Sequence, residues 1–94
     1  MQFFKVIGKR NEHKVALFTL STCAWCKLVK KFLKDNEVEY NYIDIDLVYE
    51  PEKEKIRQII RDKGGPLSFP STIIDDKILI TGFRKDKIKE ALNL

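Results

Sequence analysis

The sequence predicts an α/β fold: a central mixed four-stranded sheet flanked by helices, with room for an extra N-terminal strand. Three observations carry this reading. Lys14–Leu20 is a nearly continuous apolar run of strand length, which suits a strand covered on both faces. Trp25, Leu28, Val29, Phe32 and Leu33 then repeat at helical spacing. The chain closes on two short strands around Asp75-Asp76 and a last helix.

Each element follows from local residues. Phe3–Ile7 reads as the extra strand, and Gly8 and Asn11 supply turn residues for an N-terminal hairpin with the Lys14–Leu20 strand. The helix Ala24–Lys34 is capped by Ser21 or Thr22, and its lysines favour the middle and end, where the dipole is negative. Asp35-Asn36 closes it. Val38–Leu47 alternates like a strand, but its phase shifts by one residue at Tyr42-Ile43. A bulge, or a strand passing from half-buried to central, accounts for that shift. Pro51 opens a helix to about Asp62, with Ile56, Ile59 and Ile60 inward, and Lys63-Gly64-Gly65-Pro66 ends it. Strands Ser71–Ile74 and Lys77–Ile80 precede a Thr81-Gly82-Phe83 loop and a helix from about Arg84 to Leu92. A βαβ unit followed by a hairpin and a helix is the minimal thioredoxin-like arrangement.

The 94 residues form one domain, 1–94, and 44% of them are hydrophobic, enough for a core. Mean hydropathy is −0.30, and no apolar run approaches the roughly 20 residues of a membrane helix. The N-terminus lacks a basic lead-in and a long apolar stretch, so no signal peptide is read and a cytoplasmic location is expected. The net charge of +4 comes from 18 basic and 14 acidic residues scattered along the chain. No basic block marks a nucleic-acid site, and no membrane partner is expected, although a mildly positive face would favour acidic proteins.

The chemistry lies in Cys23-Ala24-Trp25-Cys26, on the turn from strand to helix. Such turns sit at the carboxyl edge of a sheet, where open α/β folds place their sites. Free N–H groups and the helix dipole there favour an anion, which at Cys23 means a thiolate. Cys26 returns one turn later, inside the helix. Cys23 is therefore the attacking thiol and Cys26 the resolving one. A structural disulfide closing so small a loop would stabilise little. Zinc usually needs four Cys or His ligands, and only His13 is available beyond the pair, so no metal ligand is assigned. His13 itself, in a polar run, reads as a surface turn residue. Trp25 fits either the core or substrate contact. A proline at a strand start, such as Pro70, gives no sequence reason for a cis bond.

Ser21-Thr22-Cys23-Ala24-Trp25-Cys26-Lys27, Ser68-Phe69-Pro70 and Thr81-Gly82-Phe83-Arg84 resemble the glutaredoxin-like branch of the thioredoxin superfamily, from about Lys14 to Leu94. The resemblance implies a disulfide oxidoreductase with Cys23 and Cys26 catalytic. It implies that Pro70 is cis and that the Phe69 backbone pairs with substrate. Substrate contacts are expected at Thr22, Trp25, Phe69, Pro70, Gly82 and Phe83. No bound cofactor is implied. The partners are disulfide-containing proteins or small molecules, and an external reductant: a low-molecular-weight thiol or a thioredoxin-reductase-type flavoprotein. A monomer is expected. The alternative is a protein that binds an iron–sulfur cluster or zinc through the same pair across a dimer.

The departures from that family bear on the reductant. Cys-Pro-Tyr-Cys becomes Cys-Ala-Trp-Cys. The lysine that holds a glutathione carboxylate becomes Leu20, and Thr-Val-Pro becomes Ser-Phe-Pro. The C-terminal Gly-Gly and acidic clamp becomes Thr81-Gly82-Phe83-Arg84-Lys85-Asp86. Gly82-Phe83-Arg84 is more similar to the redoxins of ribonucleotide reductase. Trp25 together with Phe69-Pro70 is most similar to archaeal and anaerobe proteins, including methanoredoxin.

Overall fold

The computed structural model describes every residue from Met1 to Leu94. Five strands and three helices make up the chain. They are β1 (Phe4–Val6), β2 (Val15–Thr19), α1 (Ala24–Asp35), β3 (Tyr40–Asp44), α2 (Glu50–Asp62), β4 (Ser71–Ile74), β5 (Ile78–Thr81) and α3 (Lys85–Leu92). A short 3-10 turn, Ile45–Leu47, leads from β3 towards α2. No helix is long and apolar enough to cross a membrane.

The sheet order is β1-β3-β2-β4-β5. β2 and β3 run parallel, joined by α1, and the other neighbours are antiparallel. The expected N-terminal hairpin does not form. β1 instead adds to the far side of β3, with Phe4 opposite Tyr42 and Val6 opposite Tyr40. The reason is steric. β4 already holds the other side of β2, and Gly8–Arg10 runs beside Glu37–Glu39, with Arg10 bonded to Glu37 and Glu39 through the backbone. A Cβ on Gly8 would lie 2.6 Å from the Glu37 carbonyl oxygen, so this close approach requires glycine.

Both sheet faces are covered. Val15, Leu17, Ile74 and Ile80 pack under α1 and α3 through Val29, Leu33, Ile88 and Leu92. Phe18, Ile43 and Ile73 pack under α2 through Ile56 and Ile60. This explains the unbroken apolar run of β2, whose residues alternate between two cores. Each fully buried Ile or Leu contributes about 1.5–3 kcal/mol relative to exposure.

The phase shift in β3 has the same origin. Tyr40 belongs to the α1/α3 core and Ile43 to the α2 core. The register with β2 runs without interruption from Asn41 opposite Ala16 to Asp44 opposite Thr19, so there is no bulge. The strand is also shorter than the alternation suggested, because Ile45–Leu47 turns away as the 3-10 segment.

At the β4–β5 turn, Asp75 and Asp76 both adopt positive φ, 55° and 57°. His13 holds this turn. Its Nδ1 lies 2.7 Å from the Asp75 carboxylate, which also accepts the Lys14 N–H at 2.9 Å. These bonds, the His13 one foremost, hold the Asp75 carboxyl below its ordinary 3.8. His13 is thus half-buried and joins two segments rather than standing free in a turn.

Candidate active site

β2 ends at Thr19, and Leu20–Thr22 turns the chain into α1. Cys23 is the N-cap, with extended backbone at φ −91° and ψ 117°. Its Sγ accepts the Cys26 N–H at 3.2 Å, and its carbonyl accepts the Lys27 N–H at 3.2 Å. Sulfur therefore takes the capping place expected of Ser21 or Thr22. Ser21 is engaged elsewhere: its N–H donates to the Asp46 carboxylate at 2.9 Å, and its hydroxyl donates to the other oxygen. These two bonds hold the Asp46 carboxyl below its ordinary 3.8 and tie the turn before Cys23 to the segment after β3.

The two cysteines differ in surroundings. Both are free thiols; Cys23 is half-exposed and Cys26 is fully buried. Burial pushes the Cys26 thiol up to about 12. The neighbouring Cys23 adds to that rise, and the Lys30 ammonium opposes it. Lys30 lies one turn beyond Cys26 and is anchored from below. Its Nζ sits 3.6 Å from the Asp44 carboxylate and 3.9 Å from the centre of the Tyr42 ring. Asp44 in turn accepts the buried Thr19 hydroxyl at 2.5 Å. The sequence pattern gave no notice of this Thr19–Asp44–Lys30 chain, because the acids of β3 looked like the solvent side of an alternating strand. The four-residue step from Cys26 to Lys30 was the available signal.

The antiparallel pairing of β2 with β4 ends at Phe18 opposite Ser71, which brings Phe69-Pro70, just before β4, to the end of β2 where the Leu20–Cys23 turn begins. The Phe69-Pro70 bond is cis, and Pro70 is buried. The Phe69 side chain packs towards the α2 core. Gly82, at φ 82°, donates its N–H to the Pro70 carbonyl at 2.8 Å, which brings the β5–α3 loop to the same edge. Trp25 is 61% exposed, and its ring centre lies 6.3 Å from that of Phe83. It is therefore not a core residue. Phe83 also meets Phe32 edge-on at 6.3 Å, with the Lys85 ammonium 5.5 Å from the Phe83 ring. Thr22 is exposed beside Cys23. One edge of the sheet thus carries all eight residues singled out in the sequence. Phe32, Lys85 and Asp46 join them unforeseen.

The glutaredoxin family model matches residues 15–79. The chain belongs to the glutaredoxin family. It is 36% identical to the glutaredoxin of Methanosarcina mazei Go1, whose crystal structure superposes with a TM-score of 0.90 over 100% of this chain and 90% of that one. Methanosarcina acetivorans methanoredoxin is 38% identical, with a TM-score of 0.83 over 89% of this chain and 88% of that one. Glutaredoxin 1 of Rickettsia felis is 31% identical over 74% of this chain and 66% of its own length. As a glutaredoxin, the chain is a thiol oxidoreductase on the α/β thioredoxin-like fold with an additional N-terminal strand. No three His, Cys, Asp or Glu side chains stand together in it, so a metal held by Cys23 and Cys26 would draw further ligands from outside the chain.

Proposed function

We propose that this glutaredoxin reduces disulfides by a dithiol cycle, with Cys23 as nucleophile and Cys26 as resolving thiol. The Cys23 thiolate attacks one sulfur of the substrate. The substrate S–S bond breaks, a mixed disulfide forms, and the first substrate sulfur leaves as a thiolate that takes up a proton. Cys26 then gives up its proton and attacks the Cys23 sulfur. An internal Cys23–Cys26 bond forms, and the second substrate thiol departs. Two electrons have passed to the substrate. An external reductant, a low-molecular-weight thiol or a flavoprotein, returns them.

One observation supports this division of roles above the rest. A half-exposed sulfur caps the start of α1, while the second sulfur, one turn on, is buried and held protonated. Only the first is open to a partner. Substrate would rest on Trp25, Phe83 and Thr22 and pair with the Phe69 backbone beside Pro70 and Gly82. Leu20, where the glutaredoxin pattern resembled by this sequence has a lysine, favours protein disulfides over those of glutathione. The protein acts as a cytoplasmic monomer.

The test is a pair of variants. Cys23→Ser should abolish reduction of an insulin-type disulfide, and Cys26→Ser should accumulate covalent mixed disulfides visible by mass spectrometry. Full activity in Cys23→Ser, or mixed disulfides formed on Cys26 instead, would reverse the assignment.

A further inference from the structure

The positive charge that looks dispersed along the sequence is gathered by the fold. Ala24–Asp35 carries four lysines against Asp35 alone, and Arg84–Leu92 carries Arg84 and three lysines against Asp86 and Glu90. These two segments together bear +5, whereas the whole chain bears +4, so the remaining residues sum to −1. Both helices lie on one sheet face, because Val29, Leu33, Ile88 and Leu92 share a core. α2, on the opposite face, is neutral, with four acids against four bases. Its Arg57 is satisfied by Glu50 and Glu54.

The cations of the α1/α3 face are largely unneutralised. Lys30, Lys31 and Arg84 have carboxylate partners, whereas Lys27, Lys34, Lys85, Lys87 and Lys89 have none. Their side chains are exposed. The patch reaches the redox centre. Lys27 is the residue after Cys26, and Lys85 stands over the Phe83 ring that meets Trp25. The exposed Trp25 and Leu28 lie on the same helix among these lysines.

Resting on the disulfide-reductase reading above, we infer that the α1/α3 face docks a disulfide-bearing protein whose surface beside its disulfide is acidic. Charge complementarity of this kind acts first on encounter rate and is screened by salt. The apolar Trp25–Phe83 contact then gives the docked segment a surface that excludes water. Nucleic acid is the other polyanion such a face could meet. It has no disulfide to present to the sulfur at the edge of the patch.

Two cyclic disulfide peptides test this, identical except for four flanking glutamates in one and four lysines in the other. At low salt the unaltered protein should reduce the acidic peptide with kcat/KM at least about tenfold above the basic one. In 0.5 M salt the two should agree within about twofold. Lys27→Gln/Lys85→Gln/Lys87→Gln should bring the low-salt ratio towards one. Lys9→Gln/Lys55→Gln/Lys77→Gln, which removes equal charge elsewhere, should keep it. Equal rates for both peptides at low salt, or equal loss in both triple variants, would overturn the docking surface while leaving the disulfide-reductase reading intact. Failure to reduce either peptide would defeat that reading itself. Competition by duplex DNA at lower concentration than by the acidic peptide would reassign the face to nucleic acid.

Discussion

The strongest quantitative consequence of the site concerns Cys26, whose thiol is pushed by burial from the ordinary 9.0 to about 12. At pH 8 such a group is ionised in about one molecule in 10,000, against about one in ten at the ordinary value. Alkylation proceeds through the thiolate, so ionisation alone slows it about a thousandfold. The greater basicity of the anion returns about twentyfold, which leaves a net slowing of about fiftyfold before steric protection is counted. The perturbation is Cys23→Ser, which isolates Cys26 and leaves burial, the main cause, in place. The assay is iodoacetamide modification at pH 8, followed by mass, in folded protein and again in guanidinium. Because the variant loses the share of the rise that Cys23 supplies, the folded rate should be the slower by more than about threefold and, from ionisation alone, by up to about fiftyfold. Linkage gives a second readout. The folded state keeps this proton to about 12 and the unfolded state releases it from 9.0, so stability falls as pH rises through 9. Between pH 9 and 10 the reduced protein should lose about 1 kcal/mol more than Cys26→Ala does, by urea unfolding. Folded and unfolded alkylation rates within threefold of each other, or parallel pH profiles for the two proteins, would refute the reasoning.

Two further outcomes follow from single side chains. Thr72 buries its hydroxyl in β4 with no hydrogen-bond partner, so Thr72→Val should stabilise the domain by about 1 kcal/mol in urea, and a lower midpoint would count against it. Leu20 is half-buried beside the Cys23 turn, and Leu20→Lys should lower KM for a glutathionylated substrate about tenfold by adding a charge-assisted bond to its carboxylate, whereas an unchanged KM would show that Leu20 does not set this preference.

Much of the architecture is legible because it is local. The apolar run of β2, the helical spacing of α1, Pro51 in the first turn of α2 and the Asp75-Asp76 turn each lie within a few residues of the structure they specify. What could not be read depends on distant segments. The Phe3–Ile7 pattern is equally good for either neighbour, and occupancy of β2 by β4 decides that β1 joins β3. The shift at Tyr42-Ile43 looks like a bulge in one dimension and is a change of core in three. Capping by Cys23 was hidden because Ser21 and Thr22 are the better intrinsic caps, and Asp46 claims Ser21. The X-Pro bond is trans by default, so residues alone did not mark Phe69-Pro70 as cis; only the family resemblance implied it. The cationic face was invisible for the same reason as β1: α1 and α3 are far apart in the chain and become neighbours only through their shared core.

The difference between the two sulfurs is itself a consequence of core packing. The buried residues of α1 are Cys26, Val29 and Leu33, a single stripe at steps of three and four. A cysteine three residues after the N-cap must fall on that stripe, so the periodicity that builds the core also hides the second thiol. Protonated, Cys26 packs as a small apolar residue among its neighbours. Ionised, it would be a buried charge answered by a backbone hydrogen bond at Leu20 and by Lys30, whose ammonium already lies 3.6 Å from the Asp44 carboxylate. Reduction therefore leaves the fold intact at neutral pH, and the sulfur open to a partner is the one that serves as the cap. A second cysteine placed two residues on would fall off the stripe and lose both properties. The spacing of the pair is thus set by the helix repeat before any chemistry is considered.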